Sequence, residues 1–146
     1  MADLVVTASS VAPVTNSTSG VVTQIITGIA GAAINAGQSA YLDTSVVPAN
    51  YKLTVSTSST ASVVAGVAMN NTALNQAINL AVGGDIYFGN VNQQPTTVVT
   101  LGLAAGGLDT NAAQATTGWY PSIIGVFVGT TQLRLAITTN QGNTHT

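Results

Sequence analysis

"QLRLAI", residues 132 to 137, decides how the chain is to be read. Leu133, Leu135 and Ile137 alternate with Gln132, Arg134 and Ala136, and the one cation of the run stands between two leucines. Successive side chains of an extended strand point to opposite faces, so the three aliphatics share one side and Arg134 takes the other. "QAINLAV", residues 76 to 82, repeats the arrangement with Ile78, Leu80 and Val82. Period-two alternation recurs far more often than apolar spacing of three or four. Valine, threonine and isoleucine are abundant, and Gly, Asn and Pro clusters interrupt them at short intervals. The pattern predicts an all-β, antiparallel fold, with helix confined at most to a stretch around Asn111 to Ala115.

Three segments echo one another. "IAGAAI" (29–34), "VAGVAM" (64–69) and "IIGVFV" (123–128) each carry glycine in third place, and each is followed after a loop by a glutamine, Gln38, Gln76 or Gln132, that opens an alternating run. Three strand–loop–strand units are expected. Glycine inside a strand marks a bulge, a bend or a close backbone approach, so Gly31, Gly66 and Gly125 are candidate bends where a sheet curls into a barrel. In the first unit, "NAGQSAYLDT" (35–44) reads as a turn at Asn35, Ala36 and Gly37, then a return strand from Gln38 to Leu42 ending by Asp43.

Composition narrows the function classes. The chain has 146 residues, about one domain, and no cysteine, so packing and hydrogen bonds must hold it together. Only 4% of residues are charged, against about 25% in an ordinary soluble domain. Asp3, Asp43, Asp85 and Asp109 are opposed by Lys52 and Arg134 alone. Two separated cations make no basic patch, which excludes nucleic-acid binding by phosphate neutralisation. With 46% hydrophobic residues and a net charge of -2, the chain is expected to fold. A surface of Thr, Ser, Asn, Gln and Ala resists self-association weakly and suits a protein packed against neighbours. "MADLVVTASS" (1–10) lacks the basic start and long apolar stretch of a secretory signal. "IITGIAGAAINAG" is too short to span a bilayer, so no membrane partner is expected.

Chemistry finds little purchase. His145, the single histidine, lies in the polar stretch "TTNQGNTHT", where no base is held against a nucleophile. Asp43, Asp85 and Asp109 sit in the turn-like contexts "YLDTS", "GGDIY" and "GLDTN", and no two lie at calcium-loop spacing. "GGD" and "AAGG" lack the lysine of a phosphate loop and the order of a dinucleotide fingerprint. Neither enzyme activity, cofactor, metal nor small-molecule substrate is expected.

The succession "AGQSAYLD", "SVVAGVAMNN", "VGGDIYFG", "LGLAAGGLD" and "IIGVFVGTTQLRLAI" resembles the capsid cement, or head decoration, family of tailed bacteriophages, over about Gly28 to Thr138. The resemblance implies a small β-tulip-like body with a flexible N-terminal arm. It implies a homotrimer on the outer surface of the expanded head, at threefold and local threefold positions, clamping neighbouring major capsid subunits. Such a protein resides in the virion, and in the host cytoplasm during assembly. The family has no catalytic motif to carry over, and this chain is poorer in charge than a typical member. A β-sandwich adhesion or receptor-binding module of a virion spike or cell surface is the alternative, since low charge with abundant Thr and Asn suits it as well.

Residues 1–20 begin with the apolar Leu4, Val5 and Val6 and continue as a Ser/Thr/Pro-rich stretch without periodicity. They read as an extended arm that adds a strand to a capsid sheet edge, with Leu4, Val5 and Val6 filling pockets. An edge strand of the chain's own barrel fits the same residues. The β domain is expected over 21–138 and a polar tail over 139–146. Trp119 and Tyr120, between Gly and Pro turn signals in "TTGWYPS", suit either a subunit interface or a lid on the core.

Overall fold

A computed structural model describes residues 3–110, 118–120 and 122–138; the possible helix around Asn111 to Ala115, the 139–146 tail and His145 lie outside the described residues. The described chain is all-β: two antiparallel sheets and one 3₁₀ turn, Ala8–Ser10, with no α-helix among these residues. The strands are β1 (Val11–Pro13), β2 (Gln24–Ile29), β3 (Ser39–Asp43), β4 (Asn50–Leu53), β5 (Gly66–Ala68), β6 (Ala77–Gly83), β7 (Asp85–Phe88), β8 (Val98–Leu101), β9 (Leu108–Asp109), β10 (Ile123–Phe127) and β11 (Gln132–Thr138). One sheet runs β1-β7-β11-β10-β8-β9, the other β2-β6-β5-β3-β4.

The five-stranded sheet curls into a half-barrel. Its two edge strands approach at one end, where Ala30 bridges Tyr51 and the Gly31 N–H donates to the Tyr51 carbonyl at 2.7 Å. Gly28 permits the approach, because a Cβ there would overlap the Tyr51 ring. The barrel-like expectation therefore holds for this sheet, while the six-stranded sheet stays open. The chain passes between sheets at Gly84, which joins β6 to β7 with φ +77° and stands against the Val22 carbonyl, a position that only glycine fills without strain.

Two cores explain the hydrophobic pattern. Ala30, Ile34, Ala40, Ala68, Ile78 and Leu80 fill the curled sheet, whereas Val67, Ala81, Ile86, Phe88, Val99, Ile124, Phe127 and Leu133 belong to a larger cluster fed by both sheets. Neighbours on one strand serve different cores: Val67 and Ala81 the larger, Ala68 and Leu80 the smaller. That is period two with both faces buried. Buried hydroxyls fasten the residue after β4 to β3, and the loop before β5 to the residue before β10. Ser39 and Thr54 hydroxyls meet at 2.6 Å, and Ser122 Oγ donates to the Ser62 carbonyl at 2.7 Å.

Of the three expected strand–loop–strand units, two form paired hairpin-like units. β10 pairs with β11, and β5 with β6. The first does not, because "IAGAAI" begins where β2 ends, and β2 pairs with β6 while β3 pairs with β4 and β5. Its turn forms as read: Gln38 N–H donates to the Asn35 carbonyl at 3.1 Å and Gly37 takes φ +90°.

Candidate functional site

The N-terminal segment lies on the body. The Asp3 carboxylate accepts the N–H groups of Leu103 and Ala104, and Leu4 N–H donates to the Leu108 carbonyl at 2.7 Å. Asn90 grips the next residues from both sides: its Nδ2 donates to the Val5 carbonyl at 2.7 Å and its Oδ1 accepts the Thr7 N–H at 3.0 Å. Leu4 and Val6 pack against the larger core, while Val5 between them is 81% exposed. Further on, β1 pairs with β7 and Val14 is buried. Of the three residues proposed to meet a capsid, Val5 alone presents its side chain to solvent.

Trp119 and Tyr120 are both half-buried. Tyr120 N–H donates to the Ser56 carbonyl at 2.8 Å, tying this stretch to the loop after β4. Gly31 faces the Asn50 side chain, Gly66 the Ala81 carbonyl and Gly125 the Arg134 carbonyl, each too close for a Cβ. Gly125 also follows a register shift that interrupts β10 in its pairing with both β8 and β11.

The carboxylates are structural anchors of differing kinds. Asp43 ends β3 and accepts from Lys52 Nζ at 2.6 Å, from Ser45 Oγ at 2.6 Å and from Ser45 N–H at 2.9 Å. The Lys52 ammonium, then the Ser45 hydroxyl and N–H, hold its carboxyl at about 2, against a slight opposing effect of burial. Lys52 is raised in return by the same bond. Asp109 is buried, and its Oδ1 accepts the Thr110 N–H at 2.6 Å.

Asp85 is the residue that sequence reasoning undervalued. It is fully buried and receives Arg134 Nε at 2.8 Å, Arg134 Nη2 at 3.1 Å, Gln132 Nε2 at 2.7 Å and Val21 N–H at 3.0 Å. Burial pushes its carboxyl up, but the bonds from Arg134, Val21 and Gln132 outweigh this and hold it below the ordinary carboxylate range. Arg134 is raised by that bond. The "GGD" preceding a strand signalled a turn, and that turn places Asp85 where β11 and the segment leading into β2 converge on it.

Among the described residues no group of three or more metal-ligating side chains gathers, no pocket opens, and no helix is long and apolar enough to cross a membrane. What the described surface does present is aliphatic. Val21, Val22, Ile25, Ile26 and Ile29, on and just before β2, are each 40–48% exposed, and Val47 stands out fully at the tip of the β3–β4 loop. No family model matches the chain, and no curated protein is significantly similar to it.

Proposed function

We propose that the chain is a structural virion protein: a capsid cement, or decoration, protein that binds the outside of an expanded bacteriophage head and clamps neighbouring major capsid subunits. The observation that carries this reading is where the five stretches behind the family resemblance fall. "AGQSAYLD" covers the turn into β3, "SVVAGVAMNN" covers β5, "VGGDIYFG" the Gly84 corner and β7, "LGLAAGGLD" the β8–β9 turn, and the last stretch the β10–β11 hairpin. Each is part of the framework, which is what a protein whose work is to be a rigid clamp requires. An aliphatic, charge-poor exterior supports the same reading, because burial of apolar surface needs no charged partner.

On this reading the curled sheet is the β-tulip-like body, and residues 1–20 are the arm, docked on the body in the free chain with Val5 facing outward. The resemblance implies a homotrimer at threefold positions. The test is co-sedimentation of the purified chain with expanded, undecorated heads of its own phage and, in parallel, with unexpanded heads. Saturable retention on expanded heads alone is expected. Binding to host-cell surfaces or immobilised glycans by the isolated chain, with no retention on heads, identifies the adhesion module instead.

A further inference from the structure

Residues 3–7 belong to no strand, yet they keep the alternation of extended backbone: Leu4 and Val6 are half-buried against the larger core and Val5 is turned outward. The bed beneath them fits them closely. A Cβ at Gly102 or Gly107 would overlap the Asp3 carboxylate, and one at Gly37 would overlap Val6. Gly102 N–H donates to the Gly107 carbonyl and Gly107 N–H to the Ala104 carbonyl, each at 2.9 Å, so the β8–β9 turn closes on itself and leaves the N–H groups of Leu103 and Ala104 directed at Asp3. A concavity of successive N–H groups binds an anion. Lys52 and Arg134 are engaged elsewhere, by Asp43 and Asp85, so among the described residues backbone alone reads this carboxylate.

The main chain is read as well. Leu108 takes the Leu4 N–H, and Asn90 takes the Val5 carbonyl and the Thr7 N–H. Main-chain bonds combined with sockets for alternate side chains are how a sheet edge recognises a peptide. The hold is nonetheless light. The bonds made through Asp3 and Asn90 all lie at the exposed surface, and neither Leu4 nor Val6 is fully enclosed. After Thr7 comes the single turn Ala8–Ser10, which has no buried residue. A segment with so few enclosed contacts opens far more readily than the core beneath it.

We propose that residues 3–7 are an autoinhibitory strap over a peptide groove, and that a different protein takes the groove in their place with an extended segment of the same pattern: a carboxylate, an aliphatic residue beside it and a second aliphatic two places on. The sockets fix that chemistry. The nest of N–H donors accepts a carboxylate and repels an ammonium, the core edge and Gly37 accept aliphatics, and the position between them is free because Val5 is 81% exposed. Lifting the strap also uncovers β9, the last strand of its sheet, and an uncovered edge is a template for an incoming segment. The strap of a second copy makes no contact that the tethered one lacks and loses the freedom of a separate body besides, so the occupant is another chain whose contacts continue beyond the pattern. The tethered strap competes with it, which lowers the apparent affinity of the resting chain by the fraction of time the groove is open. This inference goes beyond the cement reading and does not rest on it.

The test uses the full-length chain and a fluorescein-labelled peptide, ADLVVTAS, followed by anisotropy. Asp3→Ser combined with Leu4→Ser loosens the strap and alters no residue of the groove. That chain is expected to bind the peptide saturably and at least about tenfold more tightly than the wild type, whose own strap fills the site. Exchanging the peptide's aspartate for asparagine is expected to weaken binding about tenfold or more, the effect of losing hydrogen bonds to a charged group. Replacing the peptide's first valine, the counterpart of the exposed Val5, by aspartate should change it less than about twofold. Amide exchange on the wild type is the second readout and needs no variant to fold. The N–H groups of Leu4, Thr7, Leu103 and Ala104 are expected to exchange at least about tenfold faster than that of Phe127, which is bonded to the Thr97 carbonyl in the core. Equal exchange at the two sets, equal affinity of the two chains for the peptide, or a peptide indifferent to its carboxylate overturns the proposal. Phage heads enter neither readout, so failure here leaves the cement reading to its own test.

Discussion

Arg134 Nε stands 2.8 Å from Asp85 Oδ1, and the two ends of the bond lie in different media: the carboxylate is wholly buried, the arginine side chain 45% exposed. Gln132 and the Val21 N–H share the same carboxylate, so one side chain joins β7, β11 and the segment leading into β2. Asp85→Asn keeps the shape and removes the charge that all three donors face. Hydrogen bonds to a charged group contribute about 1.5–3 kcal/mol, so a loss of stability on that order is expected, read from the urea midpoint. An unchanged midpoint would show that Asp85 is only a turn residue.

Acid should undo the fold in a defined window. Asp43, held at about 2, and Asp85, held below the ordinary range, both ionise more readily in the folded chain than in the unfolded one, where an aspartate titrates near ~3.9. A folded value below the unfolded one contributes stability that is complete above the unfolded pKa and is lost as pH falls through the folded value. The melting temperature is therefore expected to be level from neutral pH to about 5 and to drop below about 4. Asp85→Asn should flatten that drop. A melt indifferent to pH down to about 2 contradicts the anchoring role of both residues.

Gly125 stands so close to the Arg134 carbonyl that a methyl group there forces β10 and β11 apart. Gly125→Ala should cost about 1–3 kcal/mol or more, the range for overpacking where backbone has to move. Gly129→Ala is the matched control, because its added Cβ meets nothing nearer than Gln132 Cβ at 3.8 Å. It should stay within about 0.5 kcal/mol of wild type. Equal effects of the two substitutions would remove the close approach as the reason for glycine at 125.

Much of this was legible in the sequence and some was not, for physical reasons that particular residues show. Alternation placed Leu133, Leu135 and Ile78 correctly inside, because the residues beside them turn toward solvent. "GVA" at β5 gives no alternation, since both of its faces are buried. Nothing in "IITGIAGAAINAG" marks the isoleucines of β2 as half-exposed, because strand order decides which strand becomes an edge, and order is set by contacts distant in sequence. Asp85 looked like a turn residue because its partner Arg134 lies 49 positions away. Leu4, Val5 and Val6 were read as an arm from composition, which carries no sign of Asp3 and Asn90 fastening the segment at either side.

That fastening makes its own prediction. Deleting residues 1–7 removes the partly buried Leu4 and Val6 and the Asp3 bonds, and should lower stability by about 2 kcal/mol or more. Val5→Asp alters only an exposed side chain and should leave the melt unchanged while weakening retention on expanded heads. If Val5→Asp decorates heads as well as wild type, residue 5 has no part in shell binding.

The most direct measurement of the central claim is electron cryomicroscopy of expanded heads mixed with the purified chain, compared with bare heads. Added density is expected on the outer surface at the threefold and local threefold positions, bridging adjacent major capsid subunits. Heads identical to the bare ones after mixing at saturating concentration, or density confined to a tail or spike, would contradict it.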